Sequence, residues 1–281
     1  MTDAQITVLT DNRAAEGLTA EHGLSLWIEA GGVHILFDAG QSAAFAENAH
    51  QLGVDIEQAD ALVISHGHYD HTGGVPAALT RSQSLEVYAH PEATQPRCSI
   101  RGGSAKSVGM PDKTRAALSR LPAGRLIWIT RPLLLAEGVG LSGAVPRRTT
   151  FEDTGGPFFL DEHGAVPDPL NDDLALWIDT HEGLVVCVGC CHAGLINTLL
   201  HIQELNNGRR IRALIGGFHL LNAGRERMEQ TLTALKALAP DLIAPCHCTG
   251  DAAVEALQAE FGKNVTLGFA GAEYSFASPS I

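Results

Sequence analysis

The sequence predicts an α/β fold, and three observations carry that reading. Short apolar runs rich in β-branched residues and bounded by glycine or turn residues recur along the chain. Helix-like segments separate several of them, so strands and helices alternate. A chain of 281 residues, 45% of them hydrophobic, is long enough to cover the core of one large domain.

Taken in order, the expected strands are residues 6–9, 24–28, 33–37, 61–64, 85–89, 126–129, 174–178, 184–188, 211–215 and 242–244. The expected helices are 42–51, 195–205, 225–238 and 252–261. In the third of these, Met228, Leu232, Leu235 and Leu238 recur at spacings of four and three, which places them on one helical face. Residues 91–169 are less regular. They hold many of the prolines and glycines and one convincing strand, and they read as a partly helical lid insertion within a single domain spanning 1–281.

Composition bounds the partners. A net charge of −13 and a pI near 5.4 argue against general binding to nucleic acid or an anionic membrane surface. The charge is also segregated. Residues 97–148 contain ten basic side chains against only two acidic ones, Asp112 and Glu137, leaving nine basic and thirty acidic elsewhere. Basic charge on an insertion of an acidic protein suggests a lid that draws a small anionic substrate into a cleft; an ordinary solvated face is the alternative. No uncharged stretch approaches the ~18 residues of a membrane span. Met1-Thr2-Asp3-Ala4-Gln5 has neither the basic nor the apolar part of a signal peptide, so a cytoplasmic location is expected. The six cysteines do not form a disulfide-like spacing and are expected to be reduced.

Chemistry concentrates just after the strand at 61–64. His66, His68, Asp70 and His71 place four potential metal ligands within six residues. In an extended segment side chains two apart point the same way, so His66 and His68 can grip one ion while Asp70 and His71, beyond the turn, face a second. Three imidazoles and a carboxylate buried with no partner would be expensive. His192, His219 and His247 each follow an apolar strand, sit in a turn containing glycine or cysteine, and precede a helix. Ligands in open α/β sheets gather at the carboxyl ends of strands, so these three histidines should converge with the His66 cluster on one edge. Cys246-His247-Cys248 lacks zinc-finger spacing, and an extended segment would point His247 away from both cysteines. Asp38, at the end of its strand, is either an orienting partner for a ligand histidine or a turn aspartate before Gly40.

The run from His66 to His71 resembles the HxHxDH signature of the metallo-β-lactamase superfamily. Further agreement lies in Glu21-His22-Gly23-Leu24-Ser25, Ile35-Leu36-Phe37-Asp38-Ala39-Gly40, Val145-Pro146-Arg147-Arg148, Gly189-Cys190-Cys191-His192-Ala193-Gly194, Gly216-Gly217-Phe218-His219-Leu220 and Cys246-His247-Cys248-Thr249-Gly250. Together these resemble one subfamily, which includes ribofuranosylaminobenzene-phosphate synthase-like proteins. The resemblance implies an αββα sandwich. It also implies His66, His68 and His192 on one metal, with Asp70, His71 and His247 on the other. Two departures stand out: no Thr-Pro-Gly-His-type motif is present, and the aspartate that commonly bridges two metals is either absent or replaced by Cys190, which is a ligand, a residue behind the ligands or simply a small buried side chain.

A mostly imidazole ligand set favours Zn²⁺, as one or two ions, with Fe and Mn compatible. Zinc lowers the pKa of a bound water from about 15.7 to about 7, which makes a nucleophile at neutral pH. In that scheme Asp70 holds the water and takes its proton, His219 or His247 donates to developing charge, and His219 contacts substrate. Arg147 and Arg148 are the candidate bidentate contacts for a phosphate or carboxylate. Three readings follow. The first is a hydrolase of a small anionic substrate, phosphorylated ones included. The second is a transferase condensing a dihydropterin with ribofuranosylaminobenzene 5'-phosphate. The third is a non-catalytic metal or redox sensor using Cys190, Cys191, Cys246 and Cys248.

Overall fold

Leu26 and Ile28 of the strand Ser25–Ala30 face one apolar cluster while Trp27, between them, faces another. Ala61 and Val63 likewise part from Leu62. Side chains alternate along a strand, so a strand apolar at successive positions needs cover on both sides. A computed structural model, which describes residues 1–277, shows that cover as four layers. The first sheet has seven strands in the order Glu273–Phe276, Ala4–Thr10, Ser25–Ala30, Val33–Phe37, Ala61–Val63, Glu86–Ala89 and Leu126–Trp128. The second has six: Leu242–Cys246, Ile211–Gly217, Gly183–Val188, Ala175–Thr180, Val139–Leu141 and Leu133–Ala136.

Ile6, Ile28, Phe37 and Val63 of the first sheet meet Leu176, Ile178, Val185 and Ile215 of the second in the central core. The outer face of the first sheet packs on Ala44–Gln51, Val75–Arg81 and Asp112–Ser119. The outer face of the second packs on Leu195–Leu205, Arg225–Leu238 and Asp251–Phe261. This is the expected αββα sandwich. No helix among the described residues is long and apolar enough to cross a membrane.

The stretch 91–169 differs from expectation. It holds one α-helix, Asp112–Ser119, and its strands Leu126–Trp128, Leu133–Ala136 and Val139–Leu141 belong to the two main sheets. Only Cys98–Arg101, Ser104–Ser107 and Phe158–Phe159 stand apart, as a small antiparallel sheet. These strands are two to four residues long, too short to give a periodic signal.

Parallel pairing positions the site. Val33–Phe37 runs parallel to Ala61–Val63, and Gly183–Val188 runs parallel to Ile211–Gly217 and Leu242–Cys246. Their carboxyl ends therefore open on one edge, and the residues that follow, 38, 64–71, 189–194, 218–220 and 247–250, come together there.

Candidate metal centre

The loop after Ala61–Val63 is fixed by its neighbours before any ion is considered. Asp38, at φ 60, accepts from the Ser65 amide at 2.7 Å and from the Ser65 hydroxyl at 2.6 Å. The Gly67 amide donates to Asp172 at 2.7 Å. A Cβ on Gly67 would lie 2.0 Å from the Ala93 carbonyl oxygen, so glycine is required there for close backbone approach.

His66, His71, His192 and His247 each have one ring nitrogen held from outside and the other turned inward, while His68 has Nδ1 against His66 and a buried Nε2 with no partner. His66 meets the Ser65 hydroxyl through Nδ1 at 2.9 Å, and its Nε2 lies 3.0 Å from His68 Nδ1. The Nδ1 of His71 is 2.6 Å from Asp38, and its Nε2 is 3.2 Å from Cys190 Sγ. His192 donates from Nδ1 to the Thr154 carbonyl at 2.8 Å, leaving its buried Nε2 with no partner. His247 contacts Asn12 through Nδ1 at 2.9 Å, and its Nε2 is 3.3 Å from Asp70. Outer hydrogen bonds of this kind fix the tautomer and aim of metal-ligating histidines.

The inward atoms form triads, two of which share His66, while Asp70 and His247 group with His22 rather than with His71 as expected. Donor atoms of His66, His68 and His192 all lie within 4.8 Å of one another, as do those of His66, His71 and Cys190, and those of His22, Asp70 and His247. Electrostatics favour the ligand forms of His66, His68, His192 and Asp70, but hold a proton on His71 until an ion displaces it. Burial, reinforced by neighbouring histidines, pushes His66 and His192 well below the usual imidazole range, and burial brings His68 down to about 3. All three are neutral at physiological pH. Burial opposes ionisation of Asp70, yet hydrogen bonds from His22 and His247 outweigh it and hold this carboxyl well below its usual value. For His71, burial is outweighed by Asp38 and Asp70, which raise it to about 9 in the metal-free protein. Neutral convergent imidazoles, a carboxylate and an orphaned buried Nε2 fit a divalent cation.

Asp38 thus lies against His71, and Cys190 lies inside the cluster. His219, at φ 45, has its ring 4.2 Å from that of His192 and lines the cavity. A Cβ on Gly155, at φ 79, would fall 1.9 Å from the His219 ring, so this glycine leaves the space that the ring occupies.

Two residues were missed. His22 is 3.0 Å from Asp70 and half-exposed at the cavity mouth. Its only sequence signal is Glu21-His22-Gly23, far from the cluster. Cys248 groups with Cys190 and His247 because the segment is not extended: His247, at φ 45, opens the 3-10 turn His247–Thr249, which carries both side chains inward.

Arg147 and Arg148 require correction, for neither lines the cavity. Arg147 donates to the carbonyls of His192 and Pro169, each at 2.6 Å, and so braces the loop behind His192. Arg148 is paired with Glu204 at 2.7 Å. The cavity, about 510 Å³, is walled instead by Tyr69, Phe158, Leu221, Arg101 and Lys106 over the histidines. All six cysteines are free of disulfides and largely buried, and of the four in the two cysteine pairs only Cys190 and Cys248 reach the cavity wall.

Residues 18–247 match the family model of the metallo-β-lactamase superfamily. The chain belongs to that superfamily. Among curated superfamily relatives, 7,8-dihydropterin-6-methyl-4-(β-D-ribofuranosyl)-aminobenzene-5'-phosphate synthase of Methanocaldococcus jannaschii is 31% identical over 261 residues, covering 86% of this chain and 85% of the relative. An uncharacterized protein of the same organism is also 31% identical, over 248 residues. A solved structure described as a metal-dependent hydrolase of the β-lactamase superfamily superposes with a TM-score of 0.82 at 32% identity, covering 96% of this chain and 98% of that one. The metallo-β-lactamase-fold protein YhfI of Bacillus subtilis shares the fold, with a TM-score of 0.57 at 16% identity over 98% of this chain and all of its own.

Proposed function

We propose that the chain is a metal-dependent hydrolase of small anionic, phosphate-bearing molecules. His66, His68, Asp70, His71, His192 and His247 hold the metal, with zinc preferred. The observation that carries this reading is the arrangement of the imidazoles: inward nitrogens face one another while outer nitrogens are tied to Ser65, Asp38, Thr154 and Asn12. Zinc, when bound, supplies an activated water and polarises a substrate oxygen.

The surrounding residues supply proton handling and orientation. Asp70, ionised and directed at the cluster, accepts a proton. His22, hydrogen-bonded to Asp70 and half-exposed, passes that proton to solvent; the bond to Asp70 raises the histidine above its ordinary value, which suits it to that task. His219, on the cavity wall, donates to charge developing on the substrate. Cys190 in the position of a bridging carboxylate adds a soft ligand beside His71. Six unpaired, buried thiols suit a reducing compartment such as the cytoplasm.

A second reading, condensation of a dihydropterin with ribofuranosylaminobenzene 5'-phosphate, is favoured by the 31% identity to the synthase and by Tyr69 and Phe158 on the cavity wall, which offer flat surfaces to a ring. One experiment separates the two. Metal content of the purified protein is measured, and the metal-loaded form is then given phosphomonoester, phosphodiester, lactone and thioester substrates, and separately the pterin and aminobenzene pair. Free acid supports hydrolysis and a coupled product supports transfer. Failure of every metal form to turn over any of them refutes both.

A further inference from the structure

The strands Cys98–Arg101 and Ser104–Ser107 form a hairpin turning on Gly102 and Gly103, whose φ values of 56 and 78 lie in the left-handed region favoured by two-residue turns. Its register sets Arg101 opposite Ser104 and Ser99 opposite Lys106. Residues directly across a strand pair, and residues two apart along one strand, project to the same side. Ser99, Arg101, Ser104 and Lys106 therefore share one face. Those four residues of the two strands line the cavity, and the other four do not.

The charges on this face are unspent. From the same basic stretch, Arg97 is locked between Asp168 and Asp172, Arg147 is held by carbonyls, and Arg148 is paired with Glu204. Arg101 has no carboxylate partner among the described residues. Lys106 has none either, and lies 5.6 Å above the Tyr69 ring. The hairpin is tied to the metal-binding loop, since the Tyr69 amide donates to the Val108 carbonyl at 3.0 Å and the Val108 amide to Arg97 at 2.9 Å. In a protein of net charge −13, two uncompensated cations and two hydroxyls on a cavity wall make a local anion site.

We propose that this hairpin face is the subsite for a phosphomonoester dianion, and that the phosphate is a handle anchoring the substrate while a different bond faces the metal centre. The proposal rests on the reading above that the substrate bears phosphate. Diagonal neighbours on a strand pair stand roughly 7–8 Å apart, close enough for both long side chains to meet one phosphate. A guanidinium fork, a point-charge ammonium and two hydroxyl donors complement its three oxygens. Binding energy from such a non-reacting group holds the reacting bond in place.

The test uses phenylphosphonate, which resists hydrolysis, with benzyl alcohol as the uncharged control. Each is titrated calorimetrically into zinc-loaded protein, into the same protein stripped by chelator, and into the Arg101→Ala/Lys106→Ala variant. Phenylphosphonate is expected to bind both metal states of the unaltered protein, weaken with added salt, and lose about tenfold in affinity per cation removed. Zinc content, melting temperature and benzyl alcohol binding stay unchanged in the variant. Equal affinity in variant and unaltered protein overturns the proposal, as does binding that vanishes when zinc is stripped. The two ideas fail separately: hairpin-dependent binding without turnover refutes only the hydrolase, and turnover with hairpin-independent binding refutes only the subsite.

Discussion

Asp38 shows how much a single side chain contributes to the centre. It is fully buried, it accepts from the Ser65 amide and hydroxyl, and it holds His71 Nδ1 at 2.6 Å. The outcome is that His71 Nε2 faces Cys190 and the cluster. Asparagine at this position keeps the size and one acceptor but offers an amide where His71 needs a carboxylate. Asp38→Asn is therefore expected to lower zinc affinity by about 10–100-fold, the usual effect of removing an outer partner of a ligating histidine. Competition against a chromophoric chelator measures this, and an unchanged affinity would show that His71 is oriented by something else. The same scale explains what escaped the sequence. His66, His68, Asp70 and His71 were legible because their local spacing already implies convergence, whereas Asp38 was left open between an orienting partner and a turn residue. His22 reaches Asp70 only through tertiary packing, and Cys248 turns inward only because His247 adopts a positive φ.

At the scale of elements, the ten expected strands all correspond to strands of the two main sheets, because each carries an apolar run, most of them covered on both faces and Leu126–Trp128 on a half-exposed edge. The remaining strands were hidden for a physical reason. Leu133–Ala136, although apolar throughout, is a half-exposed edge strand that lies between Pro132 and Gly138 in an otherwise irregular stretch, and Cys98–Arg101 with Ser104–Ser107 shows one polar face to a cavity and carries no apolar run. The basic stretch misled in a similar way, since charge in sequence does not say which cations are spent internally. Arg97 is the clearest instance. It is almost completely buried, with its guanidinium on Asp168 at 2.7 Å and Asp172 at 2.6 Å, while Asp172 also accepts from the Gly67 amide in the metal-binding loop. It thus ties the segment 168–172 and the base of the hairpin to that loop. Arg97→Ala leaves two buried carboxylates unpaired, and breaking such a pair costs about 3–5 kcal/mol. Urea unfolding is expected to show a lower midpoint with the slope preserved, together with weaker zinc binding; a loss below about 1 kcal/mol would mean that water replaces the guanidinium.

Over the whole molecule, packing so many imidazoles without charge ties stability to pH. An imidazole with a lowered folded-state pKa binds fewer protons folded than unfolded once the pH falls below about 6.5, so stability declines on acidification. His66 and His192 sit well below that value and His68 at about 3, so the decline runs from about pH 6.5 down through the folded values. Asp173 opposes them. Burial raises it to about 7, so its contribution is full below about pH 4 and disappears as the pH climbs to 7. His71, raised to about 9, stabilises below about pH 6.5 and loses its contribution as the pH passes 9. Between about pH 5 and 6.5 the lowered histidines, His90 among them, outweigh the raised carboxyls of Asp173, Asp11 and Asp168, and His71 sets the sign on the alkaline side. Metal-free protein is therefore expected to be most stable between about pH 6 and 7, losing roughly 1–2 kcal/mol per pH unit on the way to pH 5 and less per unit above 7. Urea titrations at intervals of pH measure this directly, with His192→Phe as the control that flattens the acid limb by removing one titrating site. Stability that rises steadily from pH 7 to pH 5 would mean that the imidazoles are already protonated in the folded state, and such a cluster would repel a metal cation.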